Sequence, residues 1–144
     1  MHVNQQAREW VRDALSDAGE FASISTNRSN DLLFDDLPAA VIGTATDEVE
    51  RATKDGHETR VIALSVVIVA DGESQSLDDD LDALRTVVEK AVSGDMGGLA
   101  HRLEHTGGEL DMGTDEDGDR WYAFLALGWD VEIWTEPGDP ETAL

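Results

Sequence analysis

The chain of 144 residues carries 32 acidic side chains against 10 Lys and Arg, a formal net charge of -22, and no cysteine. One domain accommodates this length, with a core that stands without disulfide or metal staples. The lack of thiols excludes disulfide frameworks, thiolate zinc sites and cysteine nucleophiles. The acid excess excludes a surface suited to non-specific nucleic-acid binding.

Read from the start, Val3, Ala7, Trp10, Val11, Ala14, Leu15 and Ala18 recur at three- and four-residue steps. That spacing predicts an amphipathic helix, with Asn4 as N-cap and Gly19 as its stop. A short strand is expected over 21–26, then a polar loop over 27–36 interrupted by Leu32, Leu33 and Phe34. Pro38 fits the first position or an edge of a sheet, and 39–46 reads as a strand that 47–54 extends away from the core. Asp55-Gly56 is a hairpin turn signal. The returning strand, 59–70, puts Ile62, Leu64, Val66 and Ile68 on one face and Val61, Ala63, Val67 and Val69 on the other. Apolar residues on both faces predict a central strand covered on both sides.

Ser76 with Asp79 reads as a capping box, and Asp78, Asp79 and Asp80 suit the first turn of a helix. Leu77, Leu81, Leu84, Val88, Ala91 and Val92 form its apolar stripe and Gly94 its stop. A helical turn is expected over 99–104, a strand over 109–113, a turn at Asp117-Gly118 and a long strand over 120–134. The fold class expected is α+β: a single mixed or antiparallel sheet packed with two main helices and a long β-hairpin extension. One domain covers 1–136, and 137–144 reads as a polar tail. The longest apolar run, 61–70, is broken by Ser65 and falls short of the ~20 residues that span a bilayer. The N-terminal residues lack a signal-peptide pattern, so a soluble, cytoplasmically made chain is expected.

The string His101-Arg102-Leu103-Glu104-His105 matches the H-x-x-E-H pattern of inverted zinc peptidases. Thr106, Gly107 and Gly108 end any helix directly after it, which favours a solvated helix end over a metal site. Asp115-Glu116-Asp117-Gly118-Asp119 looks like a calcium loop, but with Gly118 at the glycine position the first ligand falls on Gly113. Asn27-Arg28-Ser29 satisfies a glycosylation sequon without any sign of export. No catalytic, cofactor-binding or metal-binding set is therefore assigned, and no enzyme is expected. Trp10, Trp121 and Trp129 fall on apolar faces and are expected in the core. Trp134 falls on the opposite face with Asp130 and Glu132 and is either a candidate contact residue or buried against the tail.

The acids are spread through segments with clean apolar periodicity, and only two lysines occur, Lys54 and Lys90. Self-repulsion of this size favours concentrated salt, where screening shortens to about 3 Å at molar ionic strength. A halophilic source is expected.

In order, spacing and length, residues 1–134 resemble the tail terminators of tailed viruses, the minor tail protein U-like family, here from a haloarchaeal virus or provirus. The resemblance rests on the opening amphipathic helix and on Asp36-Leu37-Pro38-Ala39-Ala40-Val41-Ile42 entering a strand. The hairpin over 47–57, the apolar strand over 61–69 and the acid-capped helix from Ser76 carry it further, as do Gly107-Gly108-Glu109-Leu110-Asp111 and Asp117-Gly118-Asp119-Arg120-Trp121. It implies a hexameric ring in the virion tail or neck that caps the tail tube, ends its growth and offers a joining surface to the head. The implied partners are further copies of the chain, the tail tube protein and a neck or connector protein, with genomic DNA passing through the lumen unbound. No cofactor and no membrane are implied. The candidate interface comprises Pro38, Val41, Thr44, Thr46, Glu48, Glu50, Arg51, Lys54, His57 and Trp134. Another head-tail connector or completion protein, and more remotely a small metal-dependent hydrolase using the H-x-x-E-H string, are the alternatives.

Overall fold

A computed structural model of the chain describes residues 1–26, 36–45, 48–51, 56–114 and 117–144. Val3, Ala7, Val11 and Leu15 lie four residues apart, which stacks them on one stripe of a helix. Helix α1 (Val3–Ala18) buries all four. Its cap is His2, whose Nδ1 accepts from the Asn4 N–H at 3.1 Å, so the cap lies two residues before the expected Asn4. Gly19 ends the helix as expected, in the left-handed conformation (φ 71°) with its N–H given to the Leu15 and Ser16 carbonyls.

The strands are β1 (Ser23–Ser25), β2 (Ala39–Thr44), β3 (Glu48–Arg51), β4 (Glu58–Asp71), β5 (Arg102–Thr114) and β6 (Trp121–Thr135), with α2 (Leu77–Ala91) between β4 and β5. They form one sheet in the order β1-β2-β4-β6-β5, and β3 continues along β4 past the end of β2. β1 runs parallel to β2, and the other pairs are antiparallel. This is the mixed-sheet α+β architecture that the sequence predicts.

The register explains the core. Ile62, Leu64, Val66 and Ile68 stand opposite Val131, Trp129, Leu127 and Leu125, and Ala40 and Ile42 stand opposite Ile68 and Val66. All share one face with the buried stripes of α1 and α2 and are almost solvent-free. Both helices pack on that face. On the other, Val61, Ala63, Ser65 and Val67 stay half-buried while Val69 is buried, so the cover expected on both sides is complete only at the Val69 end. β4 is central in its pairing, flanked by β2 and β3 on one side and β6 on the other, and its apolar second face reflects that position.

Helix α2 departs from expectation at both ends. The Ser76 hydroxyl donates to Asp80 Oδ2 at 3.0 Å and makes no cap bond, so the capping box with Asp79 does not form. The three aspartates of the first turn still face the positive end of the helix dipole. The helix ends at Val92 rather than Gly94, with the Val92 N–H returned to the Val88 carbonyl.

The larger correction concerns residues 99–104. No helical turn forms; the chain enters β5 at Arg102, and the His101 N–H already donates to the Glu132 carbonyl at 2.7 Å. In an extended chain, four residues separate His101 from His105 by about 13 Å. Two histidines at that distance cannot share a metal, so the zinc-peptidase reading is lost with the helix it needed. Among the described residues no cluster of three or more metal-ligating side chains occurs, and no helix is long and apolar enough to cross a membrane.

Residues 137–144, read as a tail, return to the body. Thr135 bridges to Ala143, the Leu144 N–H reaches the Trp134 carbonyl at 2.8 Å, and the Val3 N–H reaches the Pro140 carbonyl at 2.8 Å. At the other end of the sheet, Arg120 pairs with Asp71 at 2.9 Å. The Glu73 backbone N–H, and next the Arg120 guanidinium, hold the Asp71 carboxyl below its ordinary value.

Candidate interaction site at the hairpin end of the sheet

The β3–β4 hairpin lies at one end of the sheet, where Glu58 and Thr59 of β4 stand opposite Thr135 and Trp134 of β6. β3 contributes nothing to the core: all four of its residues are exposed, and Val49 is 49% exposed. Glu48 and Glu50 pair with Val61 and Thr59, while Val49 and Arg51 pair with Arg60 and Glu58. The alternation of a strand therefore puts the two glutamates on one face of the ribbon and Val49 with Arg51 on the other.

Behind β3 three rings form a stack. Trp134 lies between His57, at 4.0 Å and 18°, and His101, at 3.5 Å and 20°. His57 is 5% exposed, so this candidate interface residue is an internal packing residue. The stack joins the hairpin, the end of β6 and the entry to β5. Near-parallel aromatic planes at these separations are favourable beyond the area they cover.

Of the ten candidate residues, the structure gathers Glu48, Glu50, Arg51, His57 and Trp134 here. Pro38 and Val41 lie towards the other end, since Ala39 stands opposite Val69, eleven β4 positions from Glu58 and thus about 35 Å away. Thr44 is midway, its hydroxyl accepting from Arg8 Nη1 at 2.6 Å. Thr46 and Lys54 lie outside the described residues, as do Asp55 of the turn signal, residues 27–35 with the sequon, and Asp115 and Glu116 of the calcium-like loop. Nor does Pro38 mark an edge, for β1 pairs in parallel with the first three residues of β2. The short strand expected over 21–26 is β1 (Ser23–Ser25); that it pairs with β2 is not legible from local pattern.

A second ring contact sits further along β5. His105 stacks on Trp129 at 4.7 Å, with Nδ1 2.7 Å from the Gly128 carbonyl and Nε2 3.1 Å from Glu89 Oε1. Both partners only accept, so both contacts are hydrogen bonds when each ring nitrogen carries a proton. The hydrogen bond from Arg85, at 2.7 Å, and then that from His105 hold Glu89 below its ordinary value of 4.5. A depressed carboxylate stabilises the fold above its unfolded pKa, and that stabilisation disappears as pH falls through the folded value. Glu89→Gln is therefore expected to lower stability at neutral pH by under about 1 kcal/mol, given how exposed these side chains are. In urea titrations the difference should vanish in acid, below the Glu89 pKa; a deficit independent of pH would assign the residue a packing role.

No family model matches the sequence, and no curated protein matches it. Among solved structures, a chain of "Virion of native gene transfer agent (GTA) particle" is similar at 12% identity and a TM-score of 0.42, over 87% of this chain and 92% of that one.

Proposed function

We propose that the chain is a structural protein of a tailed virus particle, a ring-forming terminator that caps the tail tube and offers the joining surface for the head. The observation that supports this most is β3. Four consecutive exposed residues held in register on β4 are a costly element for a monomer, since each ordered residue costs about 1–2 kcal/mol of backbone entropy. Such a strand is worth ordering as a contact surface. A ring requires a head-to-tail contact that closes on itself, and β3 supplies one half of it with Val49 at its centre. On this reading Glu48 and Glu50 face the lumen and keep passing DNA from adhering, tail tube and neck proteins bind the two rims, and the chain performs no catalysis.

Light scattering at molar salt tests the ring directly. A discrete oligomer, hexameric in mass, is expected alone or on addition of tail tube protein, and Val49→Glu should reduce it to monomers. A monomer under both conditions removes the proposal. In particles lacking the chain, overlong tails indicate a terminator. Tails of normal length without heads indicate the second reading, a connector, which the same exposed strand would serve.

A further inference from the structure

The sheet has one long free edge among the described residues. β5 runs for 13 residues with β6 on one side and no strand on the other. Native sheets usually blunt such an edge, because its unpaired N–H and C=O groups accept any extended segment. Here a register shift between His105 and Gly107 interrupts the first part, and the remainder, from Gly107 to Thr114, is regular.

Side chains along that regular stretch alternate in character. Leu110 and Met112 stand opposite Leu125 and Ala123 and so point to the face that carries the helices. They are 46% and 45% exposed, and Trp121 on the same face of β6 is 50% exposed. Glu109 and Asp111 point to the other face, opposite Ala126 and Phe124. Neither has a cationic partner among the described residues. The edge is thus apolar on one side and acidic on the other, over the same few residues.

We infer that this edge is a docking strand for an extended segment of another protein in which apolar and basic residues alternate. Backbone pairing along β5 supplies the affinity. The partner's apolar residues cover Leu110, Met112 and Trp121, and its Lys or Arg residues stand beside Glu109 and Asp111, where opposite charges across strands are favourable. Charge also selects against a second copy, because two β5 strands side by side would bring four carboxylates together.

The test uses the full chain and two synthetic peptides of about ten residues, one alternating lysine and valine, the other glutamate and valine. The lysine peptide is expected to bind saturably by calorimetry and to shift tryptophan emission to the blue. In Trp121→Phe the calorimetric binding persists and the emission shift is lost. Leu110→Glu with Met112→Glu should weaken the lysine peptide by about tenfold or more. Glu109→Lys with Asp111→Lys should reverse the preference between peptides; circular dichroism confirms that each exposed-site variant is folded. Equal binding of both peptides, binding of neither, indifference to both double variants, or a dimer abolished by Leu110→Glu with Met112→Glu would each overturn the inference.

Discussion

In dilute salt the purified chain is expected to melt on the order of 10 °C lower than in molar potassium chloride. With a net charge of -22, the repulsion between any two acids about 10 Å apart is only about 0.4 kcal/mol in water, but 32 acids against 10 Lys and Arg on one chain make the sum large. At about 10 mM salt the Debye length of about 30 Å exceeds the domain radius, so all the charges act on one another. At molar salt it is about 3 Å, and only adjacent carboxylates still interact. Asp78, Asp79, Asp80 and Asp82 on α2, and Glu109 and Asp111 on β5, are exposed groups of like charge that gain most from screening. A gain of about 3–5 kcal/mol corresponds to the stated shift for a chain of this size. Thermal melts followed by circular dichroism across a salt series check it. Sucrose at matched water activity should give a smaller rise, and a melting temperature insensitive to salt would refute the electrostatic account.

Trp134→Ala is expected to cost about 2–4 kcal/mol. The indole is half-buried and carries two stacking contacts, each worth about 0.5–1.5 kcal/mol beyond its area. Its removal separates side chains of three segments: the end of the hairpin, the end of β6 and the entry to β5. His57→Ala should cost more than His101→Ala, because His57 is enclosed and His101 is exposed. A double-mutant cycle with Trp134→Ala should find a coupling of about 0.5–1.5 kcal/mol for each histidine. If Trp134→Ala costs under 1 kcal/mol in denaturant titrations, where surface changes generally fall, the stack is incidental.

The parts of this fold that depend on local periodicity were legible beforehand. The four-residue spacing of Val3, Ala7, Val11 and Leu15 gives α1, and the alternation along 62–68 and 123–133 gives the inner face of β4 and β6. What local pattern missed was set by distant partners. Residues 101–105 have histidines at helical spacing, yet 102–105 form strand because β6 is long enough to pair with them as far as Glu132. Trp121 belongs by alternation with Ala123 and Leu125, and so was expected in the core. It is exposed because the cover ends first: β6 spans about 50 Å as a 15-residue strand, whereas α2 of the same length spans about 22 Å. Leu110 and Met112 are exposed beside it. The hairpin that carries half of the candidate residues is legible from its charged residues and turn signal. The histidines that flank Trp134 come from positions 57 and 101 and meet only through the register of three strands.

The first and last residues of the chain adjoin. Met1 and Val3 touch Glu141 and Pro140, and Gly138 donates to Glu58 at 3.2 Å, at the turn end of the hairpin where Glu58 pairs with Arg51. Anything fused to either end is therefore anchored at the same corner. A bulky tag should crowd β3 whichever end carries it, and should leave the stretch from Gly107 to Thr114, which runs towards the opposite end of the sheet, free. If β3 closes the proposed ring and β5 docks the proposed basic strand, a tag at either end should block the first and spare the second.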